Sequence, residues 1–324
     1  MAEGSGTPSR PGRRVSIVVP ALNEEESIGP LYEELTEMSQ AHLLDLEILF
    51  VDDGSSDGTW EVIRGLASGD SRVRGIRFRR NFGKAAALGA AFKRATGDTI
   101  VTLDADLQDD PAEVPRMLER LDSGLDAVTG WKRRRYDPWH KVWPSRLFNF
   151  VVSRVTKVYL HDHNCGFKAF RSEVVKELRL YGELHRFIPV LAHSRGFRVG
   201  ELEINHRPRL HGRSKYGARR FVRGLLDLLT VTFLTGFGQR PLHLLGSVGL
   251  VAFLLGFVGM AYLAVERALG AHIGGRPLLT YSLMSLLLGT QLVALGIIAE
   301  LLIAQGTREE DRYSIAQTTD SPAD

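Results

Sequence analysis

Four aspartates, Asp104, Asp106, Asp109 and Asp110, fall within seven positions of the stretch "TIVTLDADLQDDP". Carboxylates this close repel one another, so such a group persists either solvated or with a cation, or a phosphate-bound metal, among its members. The residues ahead of it, Thr99 to Leu103, are apolar or β-branched and read as a buried strand. Residues two apart at a strand end share a direction, which places Asp104 and Asp106 to bridge one divalent ion to a diphosphate. Lys84 opens a predicted helix, where an ammonium adds to the positive end of the helix dipole and favours the same diphosphate.

Such residues need a scaffold that brings them together. "VSIVVP" (Val15 to Pro20), "LEILFVDD" (Leu46 to Asp53), "VRGIRF" (Val73 to Phe78) and "TIVTLDAD" (Thr99 to Asp106) have the length and composition of buried strands. Helical spacing fills the gaps, near Glu25 to Gln40, Asp57 to Ala67 and Lys84 to Ala95. The alternation predicts an α/β domain with a largely parallel sheet, in which ligands bind beyond the carboxyl ends of the strands. The polar runs "PALNEEES", "DDGSSDGT", "RRNFGKAAA" and "DADLQDD" come after the four strands in turn, so four loops are expected to converge on one site. Taken singly, "DDGSSDGT" reads equally as a turn in which Ser56 or Asp57 caps the next helix, and "NFGKAAALGAAF" as a loop before an Ala-rich helix.

Composition sets the outer bounds. With 324 residues, 44% of them apolar and 24% charged, the chain holds one large domain and something more. A net charge of +3 is too small for a wholesale nucleic-acid binder, and no nucleic acid is expected as a partner. The single cysteine, Cys165, excludes an intrachain disulfide framework and fits a reducing compartment. Residues 1–13 are small, polar and rich in Pro and Gly; they read as a flexible tail with no visible secretory signal.

The C-terminal third changes character. Leu242 to Val265 carries no formal charge and, at about 1.5 Å per residue, reaches roughly 36 Å, enough to cross a bilayer core of about 30 Å. A second apolar run, Leu278 to Ala304, carries Gln291 and, near its end, Glu300, which is expected to reach the interface or to pair in an oligomer. Arg219, Arg220, Arg223 and Arg240 precede the first run and Arg308 and Arg312 come after the second, against Arg267 and Arg276 between them. That asymmetry predicts two transmembrane helices with both termini and the soluble body on the cytoplasmic side of the cell membrane. "ARRFVRGLLDLLTVTFLTGF", Ala218 to Phe237, suits a helix lying in the headgroup plane, or an amphipathic core helix.

Five ordered motifs, "VVPALNEEESI", "VDDGSSDGT", "NFGKAAAL", "DADLQDDP" and "NCGFKAFR", resemble the family 2 glycosyltransferases of GT-A fold. With "HRPRLHGRSKYG" and the two apolar runs, the chain is similar to the polyisoprenyl-phosphate branch, the dolichyl-phosphate mannose synthases and bactoprenol glucosyltransferases, over residues 13 to 305. The resemblance implies a Rossmann-like, mostly parallel sheet flanked by helices at residues 14–216, a juxtamembrane amphipathic segment at 217–240, the two-helix membrane region at 241–305 and a cytoplasmic tail at 306–324. It implies a UDP- or GDP-hexose donor whose base and ribose meet Pro20, Leu22, Glu24 and Asp53, with Asp52 beside them and Lys84 and Asp104 at the diphosphate. Mg²⁺ or Mn²⁺ would be held by Asp104, Asp106 and Gln108, as a Lewis acid for the leaving diphosphate.

The implied acceptor is a polyisoprenyl phosphate, undecaprenyl or dolichyl, presented at the bilayer surface. Between His206 and Gly224 there are seven Lys or Arg and no Asp or Glu, and "WKRRRYDPWHKVWPSR" supplies a second basic cluster. By composition these are equally a solvated or nucleic-acid-binding face; by position beside the membrane-approaching segment they suit an anionic lipid head. By similarity Arg209 and Lys215, with Lys132 and Arg146, grip the acceptor phosphate, Arg209 acting beside Asp104 and Asp106 in catalysis. Trp131, Trp139 and Trp143 read either as interface anchors or as core. A phosphate monoester is mostly dianionic at neutral pH and attacks the anomeric carbon directly, with inversion. If a general base exists, Asp109, Asp110 or Asp162 is available. A non-catalytic membrane scaffold and a polysaccharide-type acceptor are the alternatives, and a homo-oligomer is compatible with the sequence. Cys165 reads as packing, and "LHDHN", with His161 and His163 around Asp162, as a polar loop rather than a metal site.

Overall fold

The computed structural model describes residues 13–133, 149–178, 180–205, 207, 228, 230–231 and 241–306. The chain divides into two compact units, Met1–Val231 and Thr232–Asp324. In the first, the described strands are β1 (Arg14–Ala21), β2 (Asp45–Asp52), β3 (Val73–Arg77), β4 (Thr99–Thr102), β5 (Ala127–Trp131), β6 (Lys168–Arg171) and β7 (Val199–Glu203). They form one sheet in the order β3-β2-β1-β4-β6-β5-β7. β1 pairs in parallel with β2 and β4, β2 with β3 and β5 with β7, whereas β6 runs antiparallel to both β4 and β5. The strand order reverses between β1 and β4, the point where open sheets of this kind leave a ligand crevice.

Both faces of the central strands are covered, which is why β1, β2 and β4 are mostly apolar at successive positions. Val15, Ile17, Val19, Ile48 and Phe50 pack with Ile28 and Leu35 of α1 (Glu25–Ala41), Ile63 of α2 (Thr59–Gly69) and Met117 of α4 (Val114–Asp122). Val18, Leu49 and Ile100 face the other way, onto Ala87 and Leu88 of α3 (Lys84–Phe92), Val174 of α5 (Ser172–Glu177) and Ile188 of α6 (Ile188–Ser194). Phe50, Phe167 and Phe170 are fully buried, and each such burial contributes roughly 1.5–3 kcal/mol.

The predicted mostly parallel sheet and its first four strands and three helices are present. One boundary differs in a way that matters: β4 ends at Thr102 instead of running on to Asp106. The chain turns at Ala105 and Asp106, with Leu107 at φ 60, so the aspartates are set by a turn and not by strand alternation. Gly54, in "DDGSS", has φ +76, and a Cβ there would lie 2.5 Å from the Arg80 carbonyl carbon. Only glycine lets the loop after β2 come this close to the loop after β3.

In the second unit, α7 (Pro241–Ala268) and α8 (Pro277–Gly306) are long and apolar enough to cross a membrane. Their most apolar windows are 17% and 11% buried within the protein, unlike core helices of a soluble fold. Leu255, Phe257 and Leu302 expose more than half their surface, as side chains facing hydrocarbon would. The two helices meet through glycine. A Cβ on Gly249 would lie 2.8 Å from the Gly289 carbonyl oxygen, and one on Gly256 would lie 2.6 Å from that of Ser282. In lipid, where apolar burial supplies little drive, such close backbone contact is what holds helices together. Ser285 Oγ adds a hydrogen bond to the Ala252 carbonyl at 2.7 Å. Glu300, in the last turns of α8, accepts from the Leu242 amide through Oε2 at 3.2 Å, at the N-terminus of α7, where a carboxylate meets the positive end of the helix dipole.

Candidate active site

Four loops meet at the carboxyl edge of the parallel strands, and hydrogen bonds tie each to the next. After β1, the Asn23 amide donates to Ser55 Oγ at 2.9 Å and Asn23 Oδ1 accepts from the Ser56 amide at 2.8 Å. After β2, the buried Asp53 carboxylate accepts from the amides of Phe82 and Gly83 at 2.7 and 2.9 Å. That fixes the start of α3, where Lys84 pairs with Asp104 beyond β4. Asp52 holds its own turn, accepting from the Ser55 amide at 2.8 Å, and lies 3.4 Å from Arg77 Nε.

A cavity of about 190 Å³ opens at this rim, with Lys84, Asp104, Asp106 and Gln108 among its lining residues. The sequence-predicted diphosphate and metal residues are therefore together. Burial alone would raise the Asp104 carboxyl; the Lys84 ammonium, with Lys132 and Lys168 acting at longer range, holds it down to about 2. Asp104 is thus ionised, with an ammonium placed on it where a cation's charge is called for. Among the described residues no three His, Cys, Asp or Glu side chains are grouped to enclose a metal. Two carboxylates and an amide oxygen fit instead a hard cation that keeps water and takes its other ligands from substrate phosphates, the habit of Mg²⁺. The backbone N–H of Gln108 donates to Asp106 Oδ1 at 3.3 Å, which helps to close the turn.

Other predicted residues fall elsewhere. Pro20, Leu22 and Glu24 are half-buried on β1 and the loop after it, and with Asp52 and Asp53 they lie outside the cavity lining. Lys132, expected at the acceptor phosphate, pairs with the fully buried Asp109 at 2.6 Å. Asp110 is 2.8 Å from Arg207, and none of Asp109, Asp110 and Asp162, the general-base candidates, lines the cavity. Arg146, Arg209 and Lys215, with Trp139, Trp143 and most of the 217–240 segment, lie outside the described residues. Trp131 stacks on His161 at 4.2 Å between ring centroids.

Another part of the lining was not anticipated. It is made by Asn164, Gly166, Lys168, His185 and Arg186. Because β6 is antiparallel to β4, with Thr102 opposite Lys168, the loop that precedes β6 comes to the rim. Gly166 meets Asp104 there: a Cβ on it would lie 2.6 Å from Asp104 Oδ2, and its carbonyl accepts from Thr102 Oγ1 at 2.7 Å. A signal for this wall existed in "NCGFKAFR". Lys168 shares a strand face with Phe170 in an otherwise apolar alternation, a position where a lysine is rare without a ligand or a partner. Burial pushes the neighbouring Cys165 thiol up to about 12, so it stays protonated and acts as packing. His185 is kept neutral, down to about 2, by burial and then by the charges of Lys84, Arg186 and Lys168.

His161 and His163 do not share a site: His161 pairs with Glu201, while His163 is fully buried with Nε2 3.0 Å from Ser153 Oγ. Burial, and second the Lys168 charge, lower the His163 imidazole from 6.5 to about 4. Between those values the unfolded chain binds more protons, so the stability present above about 6.5 is lost as pH falls towards 4, by roughly 3 kcal/mol. Thermal melts at graded pH should show this acid slope, and His163→Gln should flatten it. An unchanged slope in that variant would refute the assignment.

Comparison with known proteins adds three findings. Residues 16–179 match the family described as Glycosyl transferase family 2. The chain is 37% identical over 314 residues to a dodecaprenyl-phosphate galacturonate synthase of Rhizobium johnstonii, covering 94% of this chain and 93% of that protein. It is 36% identical over 308 residues to an undecaprenyl-phosphate 4-deoxy-4-formamido-L-arabinose transferase of Aeromonas hydrophila, with the same coverage of 94% and 93%. Among solved structures, glucosyl-3-phosphoglycerate synthase of Mycobacterium tuberculosis in complex with Mn²⁺ and UDP-glucose aligns with a TM-score of 0.54 at 22% identity, over 68% of this chain and 79% of that one. The same protein with Mg²⁺ and UDP gives 0.53 at 24%, over 67% and 79%. At that identity the likeness shows the fold, a GT-A-like mixed sheet flanked by helices.

Proposed function

The chain belongs to glycosyl transferase family 2, and from that membership we propose that it moves a sugar from a nucleotide-sugar to a polyprenyl phosphate with inversion, giving a lipid-linked phosphosugar at the cytoplasmic face of the membrane. The observation that carries this reading is the meeting of Asp104, Asp106 and Gln108 with Lys84 in one cavity at the strand-order reversal. At about 190 Å³ the cavity is smaller than the roughly 300–1,000 Å³ of whole ligand pockets, so it takes the diphosphate and sugar and leaves the base on the adjoining rim of Pro20, Leu22, Glu24, Asp52 and Asp53. Both relatives carry polyprenyl phosphate in their names, which supports that acceptor; one sugar is a uronate and the other a 4-formamido pentose, so the donor class is wider than hexoses.

Mg²⁺ or Mn²⁺ bound by Asp104, Asp106 and Gln108 would neutralise charge on the departing diphosphate. Lys84 contributes a second positive charge there from the N-terminus of α3. An acceptor phosphate is already anionic at pH 7, so no side chain has to take a proton from it. The work of the site is to hold two anions in line with the anomeric carbon. Arg146, Arg209 and Lys215 are proposed to hold the acceptor phosphate, with Lys132 tuning the field through Asp109.

The test is a transfer assay: membranes containing the protein, undecaprenyl or dolichyl phosphate, Mg²⁺ or Mn²⁺, and UDP- and GDP-linked hexoses, uronates and 4-amino sugars. A lipid-linked phosphosugar identified by mass is the expected result. Transfer to polysaccharide or water alone, with none to the lipid phosphate, would overturn the acceptor assignment.

A further inference from the structure

Lys168 is fully enclosed at the start of β6 and lines the cavity, with 3% of its surface exposed. The other cations of this region have carboxylates of their own: Lys84 pairs with Asp104, Lys132 with Asp109 at 2.6 Å and Arg186 with Glu183 at 2.6 Å. For the Lys168 ammonium, the polar partner among the described residues is the Cys165 carbonyl. An ammonium has three N–H donors, so one carbonyl leaves two of them to be used. Asp104 and Asp162 reach it only as more distant charges, and Asp104 is already committed to Lys84. A buried charge without a counter-ion is costly and persists where something else supplies the opposite charge.

The surroundings point the same way. His185, on the same wall, has a buried Nδ1 with no hydrogen-bond partner among the described residues. Arg186 lines the wall beside it, and its partner Glu183 is 40% exposed, a pairing that solvent weakens. This part of the lining therefore brings an ammonium and a guanidinium to the cavity, beside a buried ring nitrogen without a partner, and favours an anionic ligand.

We propose that Lys168 binds a phosphoryl group of the substrate directly, supplying the counter-charge that the protein withholds from it. This rests on the transferase reading above and assigns that site a further substrate-binding residue. Two sources share the chemistry, the diphosphate of the donor and the phosphate monoester of the acceptor.

Detergent-solubilised full chain is titrated calorimetrically with UDP in Mg²⁺, with farnesyl phosphate and with inorganic pyrophosphate, in the wild type, Lys168→Met and Lys168→Gln. Gln still donates to the Cys165 carbonyl, so a merely structural role would survive it. At least tenfold weaker UDP binding in both variants, with farnesyl phosphate unchanged, assigns Lys168 to the donor; the reverse assigns it to the acceptor. Ligand-free Lys168→Met should melt a few degrees above the wild type, since an apolar side chain replaces an unbalanced charge. Should Met fail to fold, the Gln variant carries the same criteria. Binding of all three probes within twofold of wild type in Lys168→Gln overturns the proposal. A wild type that binds pyrophosphate but neither UDP nor farnesyl phosphate, with pyrophosphate lost in the variants, upholds Lys168 as an anion site and overturns the transferase reading instead.

Discussion

Asp106→Asn is expected to lower turnover by about 10³-fold or more while leaving the melting temperature within a degree or so of wild type. Asp106 is 8% exposed, sits in the turn that replaces the end of β4, and lines the cavity beside Asp104. Asn has the same shape and keeps an oxygen to accept from the Gln108 amide, so the turn should survive. What goes is one of two formal negative charges available to a divalent cation, and a hard ion held by two carboxylates depends on both. The divalent-ion concentration for half-maximal activity should rise steeply at the same time. Near-wild-type turnover in this variant would dispose of the metal assignment while leaving the family membership intact.

Gly166→Ala is expected to be almost as damaging, for a reason that has nothing to do with charge. The new methyl would stand 2.6 Å from Asp104 Oδ2 and 2.8 Å from its Cγ, too close for either to remain. The backbone has little room to retreat, since the Gly166 carbonyl is held by Thr102 Oγ1 and β6 is registered against β4 two residues on. The carboxylate must therefore swing off Lys84. A misplaced catalytic group costs on the order of 10²-fold, and that is the expected fall in kcat, with a small drop in melting temperature. Gly65→Ala is the control: a Cβ there meets nothing within 4 Å in the middle of α2, so activity should hold and stability rise by about 0.5–1 kcal/mol. Equal activity in the two variants would show that Asp104 need not keep its present position.

The parallel half of the fold was legible because its physics is local. Strands buried on both faces are apolar at nearly every position, and "VSIVVP" and "LEILFVDD" show it, with Ser16 and Glu47 as buried, mutually hydrogen-bonded exceptions. Polar loops placed after such strands had to share a rim, and Asp53, Lys84 and Asp104 do. The antiparallel half was not legible in this way. β5, β6 and β7 are four or five residues each, and β6 reaches the rim by its beginning rather than its end. A rule confined to the carboxyl ends of strands could not find Gly166 or Lys168. Asp104 and Asp106 do line one cavity, but strand alternation is not what puts them there: β4 ends at Thr102 and the chain turns at Ala105 and Asp106. Lys132 shows the other limit: expected at the acceptor phosphate as one member of a basic cluster, it pairs in the folded chain with the buried Asp109, a partner that nothing in the local sequence pattern singles out.

The glycine seam between α7 and α8 bears on where a long isoprenoid chain can travel. With the Gly249 and Gly289 backbones in contact, and Gly256 against Ser282, the two helices leave no room for a prenyl unit between them at these positions. A hydrocarbon tail that passes this seam runs along its outer surface, over exposed side chains such as Leu255 and Phe257. Contacts of that kind measure greasiness and not length, so the hairpin by itself would be indifferent to whether a shorter or a longer polyprenol passes by.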